Sequence, residues 1–306
     1  MRLATFRDSA GIRLGVERDG RLIDLTPAAT LTGMDLPPGA TTDMLALISG
    51  GAETLAQIAA LVNIAPEGTL LSLDEVELLA PIPRPRKNIF CVGRNYAEHA
   101  AESLRAVGRE VKLPPAPNIF TKAVTAVTGP NADIPYDASV STQLDWEVEL
   151  GVVIGRGGRH IARKNALSHV FGYTVVNDLS ARDIQNRPGM QWFLGKSLDG
   201  SCPMGPVIVT ADEVPDPQAL KLRLAVNGAV KQEDTTAHML FDVAAIIAAI
   251  SHILTLEPGD IIATGTPAGV GFARTPPEFL QPGDLMETTV EGIGTLHNMI
   301  LAVTSA

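Results

Sequence analysis

The stretch Leu144-Asp-Trp-Glu-Val-Glu-Leu-Gly-Val-Val-Ile154 decides how this chain is read. It has the apolar density of a buried strand, with Glu147 and Glu149 one residue apart inside it. A strand puts residues i and i+2 on the same face. Glu-x-Glu is common on solvated strand faces. Here Val148, Leu150, Val152 and Val153 point to a strand covered on both sides. Two carboxylates on one buried face repel each other and lose hydration, and a shared divalent cation resolves both costs. A second apolar run, Phe171-Gly-Tyr-Thr-Val-Val-Asn-Asp178, brings a third carboxylate. Glu147, Glu149 and Asp178 on neighbouring strands would make an all-oxygen site suited to Mg²⁺, with Mn²⁺ as the alternative.

The rest of the chain frames that site. With 306 residues and 45% hydrophobic content it can bury a large core, and 19% charged residues argue against disorder. A net charge of −10 argues against nucleic acid or an anionic membrane as partner. Cys91 and Cys202 lie in apolar contexts without a Cys-x-x-Cys motif, which fits free thiols and a reducing cytoplasm. The opening residues are too short and polar for a signal peptide. The longest apolar run, 241–250, is too short to span a bilayer and reads as a buried helix.

Residues 1–82 read as a small α/β module. It has short strands at 3–6, 12–17, 22–25 and 76–79, and helical spacing at 44–48 and 55–62. Pro81-Ile-Pro-Arg-Pro85 is a stiff connector to a second unit, 83–306. Strand-like runs dominate that unit, at 88–92, 118–121, 147–154, 172–177, 204–209, 221–226, 260–263 and 285–290. Helices are expected at 97–107, 165–170 and 242–253. Asp19-Gly20 and Asn227-Gly228 are hairpin turns. Many strands with few helices give an α+β, β-rich fold with mixed sheets.

Other chemistry is scattered along the second unit. In a helix starting at Ala97, His99 and Glu102 share a face, so the carboxylate can orient the imidazole as a general base; a surface pair is the plain alternative. Asp178-Leu-Ser-Ala-Arg-Asp183 suggests a structural ion pair between Arg182 and Asp183, with Gln185 near the metal. Lys122 and Lys196 stand in apolar stretches, where snorkelling to solvent is the default and holding a carboxylate the alternative. Thr264-Gly-Thr-Pro-Ala-Gly-Val-Gly271 lacks Gly-Lys-Ser/Thr and is no nucleotide loop; its N–H groups and Thr266 Oγ could meet a small carboxylate. The remaining histidines have no ligand spacing, and Ser103 and Ser180 no nucleophile elbow.

Taken in order, Phe90-Cys-Val-Gly-Arg-Asn-Tyr-Ala-Glu-His99, Phe120-Thr-Lys122, Trp146-Glu-Val-Glu-Leu-Gly151, Asn177-Asp-Leu-Ser-Ala-Arg-Asp183, Gly195-Lys-Ser197 and Gly259-Asp-Ile-Ile-Ala-Thr-Gly-Thr-Pro-Ala-Gly-Val-Gly271 make a specific pattern across residues 88 to 297. The chain resembles the fumarylacetoacetate hydrolase family, in its longer bacterial form with a small N-terminal domain. The resemblance implies a β-roll core, a divalent metal and a homodimer. It implies Glu147, Glu149 and Asp178 as metal ligands, and His99, Glu102 and Lys196 as catalytic groups. Arg94, Lys122, Gln185 and Thr266 would contact substrate, and residues 97–115 fall where relatives have a mobile lid. The expected substrate is a small anionic 2-oxo or 2,4-dioxo acid. The first expectation for the reaction is hydrolysis of a C–C bond in an acylpyruvate or fumarylpyruvate. The alternatives are decarboxylation of an oxaloacetate-like acid, isomerisation or decarboxylation of a 2-hydroxydienedioate in aromatic catabolism, and a catalytically silent binding protein.

Overall fold

The computed structural model describes residues 1–303 except Pro188 and Met190. Strands Arg2–Asp8, Gly11–Arg18 and Arg21–Asp24 form an antiparallel meander. Its second turn sits at Asp19 (φ 53°) and Gly20 (φ 75°), the left-handed pair that Asp-Gly favours. Helix Leu25–Thr32 was not foreseen: its Thr-Pro start hides the helical spacing, but Asp24 accepts from Thr26 N at 3.1 Å and Gly33 closes it at φ 69°. Helices Met44–Ser49 and Gly51–Ile64 follow, and bury Leu47, Ile48, Ile58 and Leu61.

The main sheet continues from the meander. Arg2–Asp8 pairs with Cys202–Thr210, which pairs with Val170–Asn177, then Val148–Ile154, then Ile261–Ala263, Ile89–Gly93 and the edge strand Asn118–Lys122. Ile261–Ala263 and Ile89–Gly93 run parallel while most other neighbours are antiparallel, so the sheet is mixed. A five-stranded sheet, from Ala229–Thr235 through Lys221–Val226, Leu285–Val290 and Gly294–Ala302 to Ile134–Tyr136, packs against it. The result is the β-rich α+β fold with mixed sheets expected from the strand count, in the roll form that the resemblance implies.

Val148–Ile154 is buried at every position, as its unbroken apolar reading requires. Burying each such aliphatic side chain contributes roughly 1.5–3 kcal/mol. Helix Val243–Ile253 caps the roll, its first turn held by Asp242 accepting from Ala245 N at 2.7 Å. Among the described residues no helix is long and apolar enough to cross a membrane. Of residues 165–170, expected as α-helix, all but the last belong to a 3-10 segment, Arg163–His169, and Val170 begins a strand. A six-residue stretch is too short to tell the two helices apart by spacing.

Candidate metal and active site

Antiparallel register gathers the carboxylates. Val148 faces Asn177, and the Glu147 carbonyl accepts from Asp178 N at 2.9 Å, so Glu147 and Asp178 lie opposite each other on one face. Glu149, two residues along, shares that face. Glu147 and Asp178 sit just outside the regular strands Val148–Ile154 and Val170–Asn177. Asn177 secures the junction: its Oδ1 accepts from Glu147 N at 3.0 Å and its Nδ2 donates to Thr288 Oγ1 at 3.1 Å. The three residues offer oxygens all within 4.8 Å of one another. Glu149 is 1% exposed and Asp178 0%.

Buried cations surround two of the three. Lys196 Nζ donates to Glu147 Oε2 and to Asp178 Oδ2, both at 2.8 Å. Lys122 donates to the Leu179 carbonyl at 2.9 Å and lies 2.8 Å from Asp178 Oδ1. Neither lysine snorkels: both are fully buried, because the carboxylates are nearer than water, and this corrects the solvent default. Arg182 does not pair with Asp183. It donates through Nε to Asp145 Oδ2 at 2.7 Å, places Nη2 2.7 Å from Glu147 Oε1, and donates through Nη1 to Gln185 Oε1 at 2.9 Å. Asp183 instead accepts from Ser141 Oγ at 2.6 Å. The buried Asp145 and Glu147 draw Arg182 inward, whereas Asp183, next in the short helix Arg182–Gln185, is only half-buried.

The electrostatics of the three carboxylates diverge. Burial alone would raise Glu147, but Lys196 and Arg182 outweigh it and hold Glu147 below the usual carboxylate range. Glu149 makes no ion pair among the described residues. Burial, then the charges of Asp178 and Glu147, push it well above the ordinary value. Asp178 Oδ1 has no hydrogen bond, since the approach of Lys122 is close but poorly directed. An uncompensated carboxylate, an orphaned carboxylate oxygen and an all-oxygen donor set are what a hard divalent cation fits. The cluster is able to coordinate such an ion.

The glycine loop after Ile261–Ala263 holds the protein's own carboxylates rather than a free one. Gly265 N donates to Glu149 Oε2 at 2.8 Å, Gly269 N to both oxygens of Glu102 at 3.0 and 3.1 Å, and Gly271 N to Asp145 Oδ1 at 2.7 Å. Gly265, at φ +99°, passes so near Asn95 that a Cβ would lie 2.7 Å from the Asn95 Cβ. Thr266 Oγ1 accepts from Gln232 Nε2 at 2.8 Å.

Helix Ala97–Ala106 brings His99 over the site. His99 Nδ1 lies 3.0 Å from Glu102 Oε1, the spacing read from i and i+3. A cavity of about 390 Å³ joins these parts, lined by Arg94, His99, Glu147, Gln185, Lys196 and Thr266 among others. Lys122 and Asp178 lie beneath it, fully buried. Sequence reasoning missed Asp145 and the inward turn of Arg182. The alternation Asp145, Glu147, Glu149 was the available signal, a third acidic residue on the same period.

The comparisons with known proteins agree with this architecture. The family model described as "Fumarylacetoacetate (FAA) hydrolase C-terminal" matches residues 88–301. The chain belongs to the fumarylacetoacetate hydrolase family. It is 44% identical to the oxaloacetate tautomerase YisK of Bacillus subtilis, over 92% of this chain and 93% of that one. It is 41% identical to the mitochondrial oxaloacetate tautomerase FAHD2A of Bos taurus, over 98% and 92%. Among solved structures, a fumarylacetoacetate hydrolase from Exiguobacterium antarcticum matches with a TM-score of 0.82 at 41% identity, covering 99% of this chain and all of that one. A maleylpyruvate hydrolase from Sphingobium sp. SYK-6, solved with manganese(II) and pyruvate, matches with 0.76 at 30%, over 99% and 100%.

Catalysis within this family is therefore the setting of the site, and the silent-protein alternative falls away. The first expectation for the reaction is corrected. The curated relatives at 44% and 41% identity over 92% and 98% of the chain are oxaloacetate tautomerases, and this likeness favours tautomerisation over C–C hydrolysis. The physical reason is that hydrolysis and tautomerisation of a 2-oxo acid use the same carboxylates, the same ion and the same proton-moving group. Residue types and spacing do not separate them.

Proposed function

We propose that this chain is a divalent-metal-dependent tautomerase that interconverts the keto and enol forms of an oxaloacetate-like 2-oxo acid. The observation that carries the reading is Glu149, a buried carboxylate with no ion pair among the described residues, beside two carboxylates that have them, one of which, Glu147, lines the cavity. The extended likeness to oxaloacetate tautomerases supports the substrate class.

Glu147, Glu149 and Asp178 would hold Mg²⁺, with Mn²⁺ as a substitute, as the oxygen donors favour. Bound there, the ion would polarise the 2-keto group and make the C3 proton more acidic. His99, oriented by Glu102, takes the C3 proton and returns one there in the reverse direction. In the enol direction a C3–H bond breaks and an O2–H bond forms; no carbon–carbon bond breaks and no water is consumed. Lys196 keeps an ammonium at the cavity wall, its charge maintained against burial by Asp178 and Glu147. Gln185, Thr266 and Arg94 supply polar contacts to the acid, and Lys122 fixes Asp178 from below. The same reading has residues 1–82 as a small N-terminal domain on an 83–306 catalytic unit, working as a homodimer in a reducing cytoplasm, in keeping with the free, buried Cys91 and Cys202.

The test is direct. Metal-stripped protein is reloaded with Mg²⁺ or Mn²⁺ and mixed with the enol form of oxaloacetate, and loss of the enol absorbance is followed beside carbon NMR of the products. Metal-dependent acceleration with all four carbons retained is expected. Metal-dependent release of CO₂ with pyruvate would replace tautomerase by decarboxylase, and no acceleration would end the reading.

A further inference from the structure

The cavity that reaches Glu147 and Lys196 also carries two cations, Arg109 and Arg187, to which the proposed reaction gives no role, beside Arg94. Arg94, Arg109 and Arg187 line it, and none makes an ion pair among the described residues. In a chain of net charge −10, three unneutralised guanidiniums around one space of about 390 Å³ are conspicuous. Arg94 is held rather than free. Its backbone is left-handed at φ 58°, and its guanidinium carbon lies 5.3 Å from the centre of the Trp192 ring. Burial first, then the like charge of Arg109, push the Arg94 guanidinium below its ordinary value. Two guanidiniums lining one cavity, one of them half-buried, are costly without an anion between them. Arg109 follows helix Ala97–Ala106, which also carries His99.

We infer that Arg94, Arg109 and Arg187 form a receptor for the distal carboxylate of the substrate, so that the site selects 2-oxo diacids over 2-oxo monoacids. The inference rests on the proposed reaction for its choice of substrate. A 2-oxo acid engaged through its C1 carboxylate and C2 carbonyl leaves its far end in the cavity. If that end is a carboxylate it must be desolvated, and guanidinium is the donor that compensates best. A neutral far end would leave three cations facing one another.

Arg109→Met and Arg187→Met keep much of the aliphatic stem and remove the charge. With oxaloacetate and its 4-methyl ester as substrates, wild type prefers the diacid in kcat/KM. Each variant narrows that preference by about 10-fold or more, mainly through KM. A second readout does not need turnover. Calorimetry on Mg²⁺-loaded protein compares 2-oxoglutarate, a dianion, with 2-oxobutyrate, a monoanion. Wild type binds the dianion more tightly, the variants lose the difference, and retained Mg²⁺ affinity shows that they are folded. If wild type turns over neither oxaloacetate nor its ester, the proposed reaction fails while the binding comparison still decides this inference. Dianion-to-monoanion affinity ratios in both variants equal to that of wild type would overturn it.

Discussion

Gly265 donates its backbone N–H to Glu149 Oε2 at 2.8 Å, across 116 residues of sequence. Through that contact the glycine loop sets the position of the carboxylate that lacks a cation. The same loop, through Gly269, holds Glu102 and so the partner of His99. One short segment thus fixes both the metal-facing strand and the helix above it. Gly265→Ala should break this arrangement. The new Cβ would meet Asn95 Cβ at 2.7 Å and Val92 O at 2.8 Å, at a φ that L residues rarely adopt. A loss of about 2–4 kcal/mol in urea unfolding is expected, with weakened metal binding. Unchanged stability would show that the loop yields freely.

Arg182 bridges Asp145 and Glu147 in full burial. Arg182→Met leaves two buried carboxylates short of a partner and should cost about 3–5 kcal/mol. Chemical denaturation of the variant measures this. A cost below 1 kcal/mol would mean that water or Lys196 replaces the guanidinium.

Glu149 gives a pH dependence with a definite sign. Its carboxyl is raised in the folded, metal-free protein by burial, Asp178 and Glu147, whereas in the unfolded chain it ionises near the usual value. The folded state therefore binds the extra proton. The stability this contributes is complete below the unfolded value and is lost as pH rises toward the folded one. Glu147 is shifted the other way and stays ionised in both states above about pH 5, so it adds no slope there. Metal-free wild type should lose Tm as pH rises above about 5 relative to Glu149→Gln, and Mg²⁺ should restore it. Parallel Tm profiles for the two proteins would refute the shift.

His99→Ala tests the division of labour. His99 contacts no carboxylate of the cluster in a way that holds a metal; its partner is Glu102. The variant should lose about 10²–10⁴-fold in kcat for tautomerisation while retaining Mg²⁺ affinity by calorimetry. Loss of metal binding as complete as in Glu149→Ala would make His99 a ligand.

Much of this site was legible because strands have a period of two. Glu147, Glu149 and Asp178 declared themselves as carboxylates at fixed positions on apolar strands, and His99 with Glu102 as a helical pair. What was hidden depends on residues far apart in sequence. The inward turn of Arg182 is set by Asp145, 37 positions away. The burial of Lys122 and Lys196 is set by Asp178 and Glu147, since an apolar neighbourhood alone favours snorkelling. The amides of the glycine loop find Glu149, Glu102 and Asp145, a choice made by topology rather than by composition. The reaction was hidden for a chemical reason, because one set of groups serves several fates of a 2-oxo acid.

The central claim is that an ion held by Glu147, Glu149 and Asp178 drives enol–keto exchange. Titrating Mg²⁺ into stripped protein while recording the rate of enol loss from oxaloacetate tests it most directly, with Glu149→Gln run in parallel. Wild type should show a rate that rises and saturates with Mg²⁺, and the variant should stay at the uncatalysed rate at the same concentrations. A rate independent of Mg²⁺ in wild type, or a variant that saturates like wild type, would contradict the account.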